Sequence, residues 1–494
     1  MSTRAVIAAP LFFLSSLALS ATFNVTNTNT DGAGSLRQAI IDANAVAGPP
    51  HIVEFDSSLT GSITPIAGVS GLPALAVSMS IIGPDKGEVT INLDKDGPLT
   101  INAGVNLVSI TGLAIAGGTA PRGGCLSNAF GAELVLTDME FSFCVASATG
   151  ALGAEGGAVF STGPTEINSS RFTSNFALGG SNGPGLGGAV YVNPGQNQVS
   201  ISNSEFVANA TSIDSETGAI FSSGGAVYQQ SGDLNISGSR FAFNAADESG
   251  DGNKDANGGA ITHNGDEIIV RSTTFASNSA NGAGSAVQIF NTGSGFNNNA
   301  FIENVVFYDN RGNLGGRQNN GAALSVGRST LSLRNSTFFA NSSTSGASSL
   351  FHSIDLDNLA ISNNAFGQSA DGSTSCRSVS NPDDVFAGSF NFFTDASCNW
   401  LASAGSQQTS LGLLLIGENS TFASPAILPV ISSPLVDAGS TSTSQTDFSV
   451  CAETDFNAMI RPMDNNGDAE SRCTAGAYEQ VVEDELFSDQ FIAP

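Results

Sequence analysis

Charge is the first thing this chain is short of. Charged residues make up 12% of its 494 positions, with 16 Lys+Arg against 44 Asp+Glu and a formal net charge of −28; soluble domains ordinarily carry about 25%. So acidic a chain repels nucleic acid and anionic membranes. It would meet a polyanionic ligand only through a bridging cation such as Ca²⁺. Aromatic residues other than Phe are also scarce, one Trp and four Tyr against 32 Phe, and there are three His. Sugar clefts lined by many exposed Trp and Tyr rings are not expected, nor is a His-rich metal site. What is abundant is Gly, at 57 residues, which suits short strands and tight turns better than long helices.

Long apolar runs are missing too, with one exception at the start. Arg4 supplies a positive end, Ala5 to Leu19 is apolar apart from Ser15 and Ser16, and Ala18 and Ser20 are small residues at the −3 and −1 positions of a cleavage site. Residues 1–20 therefore read as a secretory signal. The run is short of the ~20 residues of a membrane span, so no transmembrane segment is expected in the mature chain. Six Cys fall into local pairs, Cys125 with Cys144, Cys376 with Cys398 and Cys451 with Cys473. An even count in an exported chain favours disulfides, and the local pairing is chosen because neighbouring coils of a repeat stack. No Cys-x-x-Cys spacing supports a metal site.

Two interleaved series organise the middle of the chain. One is Phe141-Ser-Phe-Cys144, Phe172-Thr-Ser-Asn175, Phe206-Val-Ala-Asn209, Phe241-Ala-Phe-Asn244, Phe275-Ala-Ser-Asn278, Phe307-Tyr-Asp-Asn310 and Phe338-Phe-Ala-Asn341, with a degenerate copy at Phe366. Successive Phe are 31, 34, 35, 34, 32, 31 and 28 residues apart. The other is Gly123-Gly-Cys125, Gly156-Gly-Ala158, Gly187-Gly-Ala189, Gly224-Gly-Ala226, Gly258-Gly-Ala260, Gly284-Ser-Ala286 and Gly321-Ala-Ala323. Apolar residues at period two precede each Phe, as in Ile201-Ser-Asn-Ser-Glu-Phe206, and Asn and Gly close the runs; these are strand and turn signals. One such unit cannot bury its own apolar face, so the units must stack.

The expected fold is all-β: a single right-handed parallel β-helix. Stacked Phe rings fill its interior, an Asn ladder links its turns, and Gly-Gly supplies a corner with φ > 0. The residues before each Phe read Glu140, Arg171, Glu205, Arg240, an outward column of alternating sign if strands stack about 4.8 Å apart. Ser35 to Ala45 reads as an amphipathic helix with Leu36, Ile40 and Ala43 on one face. It would cap the open first coil within residues 21–60. The β-helix is expected over 61–425, a disulfide-bearing C-terminal cap over 426–480 and a tail over 481–494. A monomer is expected.

Spacing from Phe to the next Gly-Gly pair varies more than the return, so insertions gather on one edge, the usual binding face of a solenoid. The loops there are Ala146 to Glu155, Phe176 to Leu186, Ala210 to Ser223, Ala245 to Asn257 and Arg311 to Asn320. In one of them Asp247, Asp251, Asn253 and Asp255 place oxygen ligands around a Gly, as Ca²⁺ requires. The loop lacks the Glu of a full EF-hand, and a solvated acidic loop is the plain alternative. Asp464-Asn-Asn466-Gly-Asp468 is a second, weaker match.

The interleaved elements resemble the repeats of polymorphic outer-membrane proteins over Gly123 to Phe366. Gly34-Ser35-Leu36-Arg37-Gln38-Ala39 is similar to the Cys-Ser-Leu-Arg-Glu-Ala signature that opens many bacterial surface β-helix proteins, departing at Gly34 and Gln38. Ser433-Pro-Leu-Val-Asp-Ala-Gly439, Asp455, Arg461-Pro462 and Gly476-Ala-Tyr-Glu479 resemble a choice-of-anchor region, with Asn457 and Ala458 standing where that family has Arg-Gly. These resemblances imply a bacterial cell-surface, outer-membrane or secreted location, and for most such proteins no demonstrated activity.

Two function classes remain open, because the fold also hosts pectate lyases, polygalacturonases and epimerases. One is an adhesin-like protein binding an extracellular glycan or a host or neighbour-cell surface. The other is a polysaccharide lyase or glycoside hydrolase of the pectin-lyase-like type. A lyase needs a base beside a group that neutralises the sugar carboxylate, and a hydrolase needs two carboxylates at a set distance. His263 with Asp266 and Arg271 is the best catalytic cluster in sequence. Asp138 with Glu140, and Asp266 with Glu267, are adjacent acids that also suit plain solvated positions. Ice or mineral binding would want a flat row of Thr or Asp, and no such row crosses consecutive units. Binding is the favoured reading.

Overall fold

The computed structural model of the chain describes residues 20–479, apart from 47, 49, 66–70, 95–96, 150–152, 181–182, 194, 196–197, 214–221, 247–255, 291–297, 313–321, 345–346, 354–358, 379–385, 402–405 and 417–425. The segments expected as signal (through residue 19), Ca²⁺ loop and tail lie outside the described residues.

Each of the middle coils visits four parallel sheets in turn. A thirteen-stranded first sheet runs from Thr22–Val25 to Phe386–Ala387, and a thirteen-stranded phenylalanine sheet from Gly61–Ile63 to Gln407–Gln408. An eight-stranded short sheet runs from Thr119–Ala120 to Ser342–Ser343, and a ten-stranded glycine sheet from Leu99–Thr100 to Thr374–Ser378. The result is an all-β, right-handed parallel solenoid. Strand already begins at Thr22, so the segment 21–60 contributes coil as well as helix.

Period two aims alternate side chains inward. Leu134 and Leu136, Phe141, Ala146 and Val159 are the buried members of one coil. Phe141, Phe172, Phe206, Phe241, Phe275, Phe307, Phe338 and Phe366 sit in strict register and stack with centroids 4.6–5.2 Å apart. Offset-stacked rings add about 0.5–1.5 kcal/mol per pair beyond their burial. Each buried Asn of the turn donates through Nδ2 to Oδ1 of the Asn on the next coil, 2.9–3.0 Å from Asn175 through Asn341. The same Oδ1 accepts the backbone N–H of the Asn one coil before. A buried polar corner is thereby satisfied along its length.

A second ladder runs up the opposite turn. The N–H groups of Met139, Ser170 and Ser204 donate to the hydroxyls of Ser170, Ser204 and Ser239 at 3.1–3.2 Å. Further along, Ser336 and Asn364 donate to the amide oxygens of Asn364 and Asn391. At the glycine corner Gly156 and Gly187 have φ of +67° and +65°. The glycine after each leaves no room for a side chain: a Cβ on Gly157 would run into the carbonyl oxygen of Gly188 on the next coil.

The ends are treated differently. Leu36–Asn44 is an α-helix, capped by the Ser35 hydroxyl accepting from Gln38 N–H, with Leu36, Ala39, Ile40 and Ala43 buried in the main core beside Val25 and Val53. At the far end Cys398 and Leu401, from the 3₁₀ helix Ala396–Leu401, join the same core. The six cysteines form the disulfides Cys125–Cys144, Cys376–Cys398 and Cys451–Cys473. The region bearing Cys451–Cys473 lies along the flank of the last coils. Ala452 N–H donates to Asn335 Oδ1, Ser440 N–H to Asn363 Oδ1 and Ala477 N–H to Thr337 Oγ1.

Candidate functional site

The segment between the phenylalanine strand and the glycine corner holds more structure than loops alone. Its first residues form the short sheet, as in Val145–Ser147, Phe176–Gly179, Ala210–Ile213 and Ala245–Ala246. These strands are too brief and too rich in Ala and Ser to show a periodicity in sequence, and they form because the backbone of the adjacent coil is there to pair with. In three coils the end of the segment adds a layer: Ala154–Glu155, Gly185–Leu186 and Ser222–Ser223 pair in parallel beside the glycine sheet. The edge expected to carry function is therefore a built one.

Under that layer lies a column of outward aromatic residues. In the strands Val159–Ser161, Val190–Val192 and Val227–Gln229 the middle residue points away from the core, which puts Phe160, Tyr191 and Tyr228 in register. Their rings stack at 5.3 and 5.5 Å with planes within 10° of parallel, and Leu186 packs on them. At the Phe160 end the Arg122 guanidinium lies over the ring, 5.3 Å from its centre, and pairs with Glu155 at 2.7 Å. At the other end the Tyr228 hydroxyl donates to Gln230 at 3.0 Å and accepts from Asn264 Nδ2 at 2.8 Å.

The electrostatics follow from burial. Burial raises the Glu155 carboxyl above its usual range against the pull of Arg122. Burial pushes the Tyr228 phenol up to about 12. It raises Tyr191 as well, helped by the neighbouring Glu155 and Tyr228. Phenols held this firmly protonated donate hydrogen bonds at neutral pH and make poor general bases. The rings themselves are buried, so the edge presents Arg122, 57% exposed, beside the partly buried Glu155, with the phenols packed just beneath; polar groups converging over apolar surface are the make-up of a ligand site. The sequence carried its signal in the residue after each Gly-Gly-Ala-Val: Phe160, Tyr191 and Tyr228 follow three consecutive copies.

The candidates drawn from sequence spacing lie elsewhere. His263 ends the strand Ile261–His263 with its side chain inside the solenoid, fully buried, Nδ1 3.1 Å from Gln229 Oε1. Burial pushes its pKa down to about 3. Asp266 and Arg271 are exposed, and Arg271 pairs with Glu303 at 3.7 Å. The three residues are not brought together, because period two sends 263 to the interior while the two charges stay at the surface. Asp138 pairs with Lys86 at 3.0 Å, and Glu140 heads the charged column. Asp247, Asp251, Asn253 and Asp255 fall outside the described residues. In the second acidic loop Asp464 accepts the N–H groups of Gly467 and Ala469, and Asn466 accepts that of Asp468, so their oxygens serve the loop's own backbone. Among the described residues no cluster of His, Cys, Asp and Glu is arranged to hold a metal.

No family model matches the chain, and no curated protein matches it. Its similarities to motifs at 34–39, 123–366 and 433–479 therefore stand as resemblances. Among solved structures it is similar to a rhamnogalacturonan lyase at 11% identity and a TM-score of 0.36, over 74% of this chain and 87% of that one. It is also similar to a PL6-family alginate lyase at 11% identity and a TM-score of 0.36, over 93% of this chain and 59% of that one. Likeness of this degree carries no argument about residues or reaction. Among the described residues no helix is long and apolar enough to cross a membrane.

Proposed function

We propose that the chain is an exported or surface-held, adhesin-like protein that binds an extracellular glycan without cleaving it. Binding takes place along the insertion edge at Arg122, Glu155, Tyr191 and Tyr228. The observation that carries this reading is the stacked column Phe160–Tyr191–Tyr228 flanked by the Arg122–Glu155 pair. Export is supported by the signal-like N-terminus and by three disulfides, which persist in oxidising compartments. The net charge of −28 favours neutral glycans over acidic ones.

The test is a glycan-array screen run beside reducing-end and unsaturated-product assays. Binding without product is expected. Arg122→Ala or Tyr191→Phe, each removing hydrogen-bond donors, should weaken it by roughly tenfold. Product formation that disappears in Glu155→Gln would replace binding with lyase or hydrolase chemistry.

A further inference from the structure

The coils change shape towards the C-terminal end. Phe338 to Phe366 and Phe366 to Phe393 span 28 and 27 residues, where upstream coils take 31 to 35. The short sheet ends at Ser342–Ser343, and among the described residues the coils after it have no strand between the phenylalanine and glycine sheets. The asparagine ladder stops at the same level, with Asn341. The shorter coils leave a notch.

The notch is a recess of about 430 Å³ whose lining, from three successive coils, includes Gln368, Ser369, Ser373, Thr394, Asp395 and Thr409. That volume lies in the range of small-molecule sites. One wall is fixed in place. Asp395 accepts from the backbone N–H and hydroxyl of both Ser375 and Ser397, and the Cys376–Cys398 disulfide joins the residues next to those serines. Against burial, these hydrogen bonds hold the Asp395 carboxyl below its usual range. Ser373 Oγ is buried in the recess without a hydrogen-bond partner. Among the described residues the lining contains no Lys, Arg or His and no aromatic ring.

We propose that this recess is a binding site for a neutral sugar unit. Amides and hydroxyls both donate and accept, as a polyhydroxylated ring requires. A phosphate or uronate would meet the Asp395 carboxylate with no cation to offset it, and an apolar ligand would leave the lining unpaired. The prearranged wall limits the ordering cost of binding, and Ser373 Oγ is the donor left waiting. The site is separate from the Arg122–Tyr228 edge and does not rest on it.

Isothermal titration of the full chain with maltotriose, cellotriose, mannotriose and trigalacturonate tests the assignment. At least one neutral trisaccharide should bind, and trigalacturonate should not compete with it. Gln368→Ala with Ser373→Ala should weaken that binding by roughly tenfold. Ser410→Trp, an exposed change at the recess mouth, should abolish it without moving the melting temperature. Arg122→Ala and Tyr191→Phe should leave it unchanged. Three outcomes would overturn the recess: no neutral binding at millimolar ligand, equal binding of trigalacturonate, or binding indifferent to Ser410→Trp. Binding lost in the Arg122 and Tyr191 variants but kept in the recess variants would do the same while leaving the insertion edge standing.

Discussion

Two arginine–glutamate ladders climb this solenoid, and they live in different surroundings. In the middle coils Arg171, Glu205 and Arg240 stand in register on the phenylalanine sheet, with Arg171 50% and Glu205 37% exposed. Further along, Arg271, Glu303 and Arg334 stand in register on the first sheet, yet Arg334 is 1% exposed. The difference is the C-terminal segment. Carbonyls of Gln445 and Asp447 accept from the Arg334 guanidinium, and the Phe448 ring lies 4.3 Å from it. A pair that decorates one coil becomes an anchor on another once a second layer excludes water. The neighbouring column changes in step. Glu140, Arg171, Glu205 and Arg240 give way to Val306 and Ala365, which pack against Ile427, Leu428 and Tyr478 or Leu435 and Ala475.

That contrast can be tested by detaching the second layer. Arg334→Ala should cost about 3 kcal/mol, the low end for a broken buried pair, because Glu303 keeps only the looser contact to the exposed Arg271 at 3.7 Å and the carbonyls of Gln445 and Asp447 lose their donor. The loss should be local, seen as early proteolysis within 440–479 while the middle coils keep their melting transition. A uniform loss across the chain would show that the segment is not a separable layer.

The two regions should also respond oppositely to pH. His263, in the middle coils, has its pKa pushed down by burial to about 3 from 6.5. Its stabilising share is therefore complete above about pH 6.5 and is lost as pH falls, by up to ~1.4 kcal/mol per unit. Glu479, in the C-terminal segment, is pushed up by burial to about 7 from 4.5, against the pull of Arg461. Its share is complete below about 4.5 and is lost as pH rises through 7. Hydrogen exchange at pH 5 and pH 7.5 should show amides at 261–270 better protected at the higher pH and those at 473–478 at the lower. Parallel shifts would refute this. Next in size is Asn335→Gly, which keeps the left-handed corner (φ +47°) but removes the acceptor for Ala452 N–H. A loss of about 1–3 kcal/mol, confined to the segment, is expected.

The column of Phe and the asparagine ladder were legible because each rests on a local pattern repeated many times, and the helix at 36–44 because Leu36, Ile40 and Ala43 fall on one face. The serine ladder was equally visible, two residues before each Phe at Ser170, Ser204 and Ser239, but it hides among other serines until register shows what it faces. The Arg122–Tyr228 edge was missed for a different reason. Its aromatic rings lie next to inward positions in the same strands, and only the strand phase separates Tyr191, packed in the outer aromatic column, from Val190 and Val192 in the interior core. His263 drew attention through nearness in sequence to Asp266 and Arg271, where phase, again, decides which side of the wall each occupies. The recess depends on a strand that stops, and the shortened interval to Phe366 recorded that without showing what the gap exposes.

The smallest expected effect bears on whether the exposed ladder matters to stability at all. Arg171 Nε lies 3.4 Å and Arg240 Nη1 3.7 Å from the Glu205 carboxylate. Arg240 is 12% exposed, but an exposed pair such as Arg171–Glu205 gains little over solvated charges and loses side-chain entropy, so its coupling is ordinarily below ~1 kcal/mol. A double-mutant cycle on Arg171 and Glu205, each to Ala, should return a coupling under ~1 kcal/mol that fades as salt screens it. The same cycle on Arg334 and Glu303 should return a larger value that salt hardly changes, because the Phe448 ring and the segment backbone keep ions away. Equal couplings would mean that the C-terminal layer lends the second ladder nothing. Its stability would then have to come from the apolar contacts of Val306 and Ala365 alone.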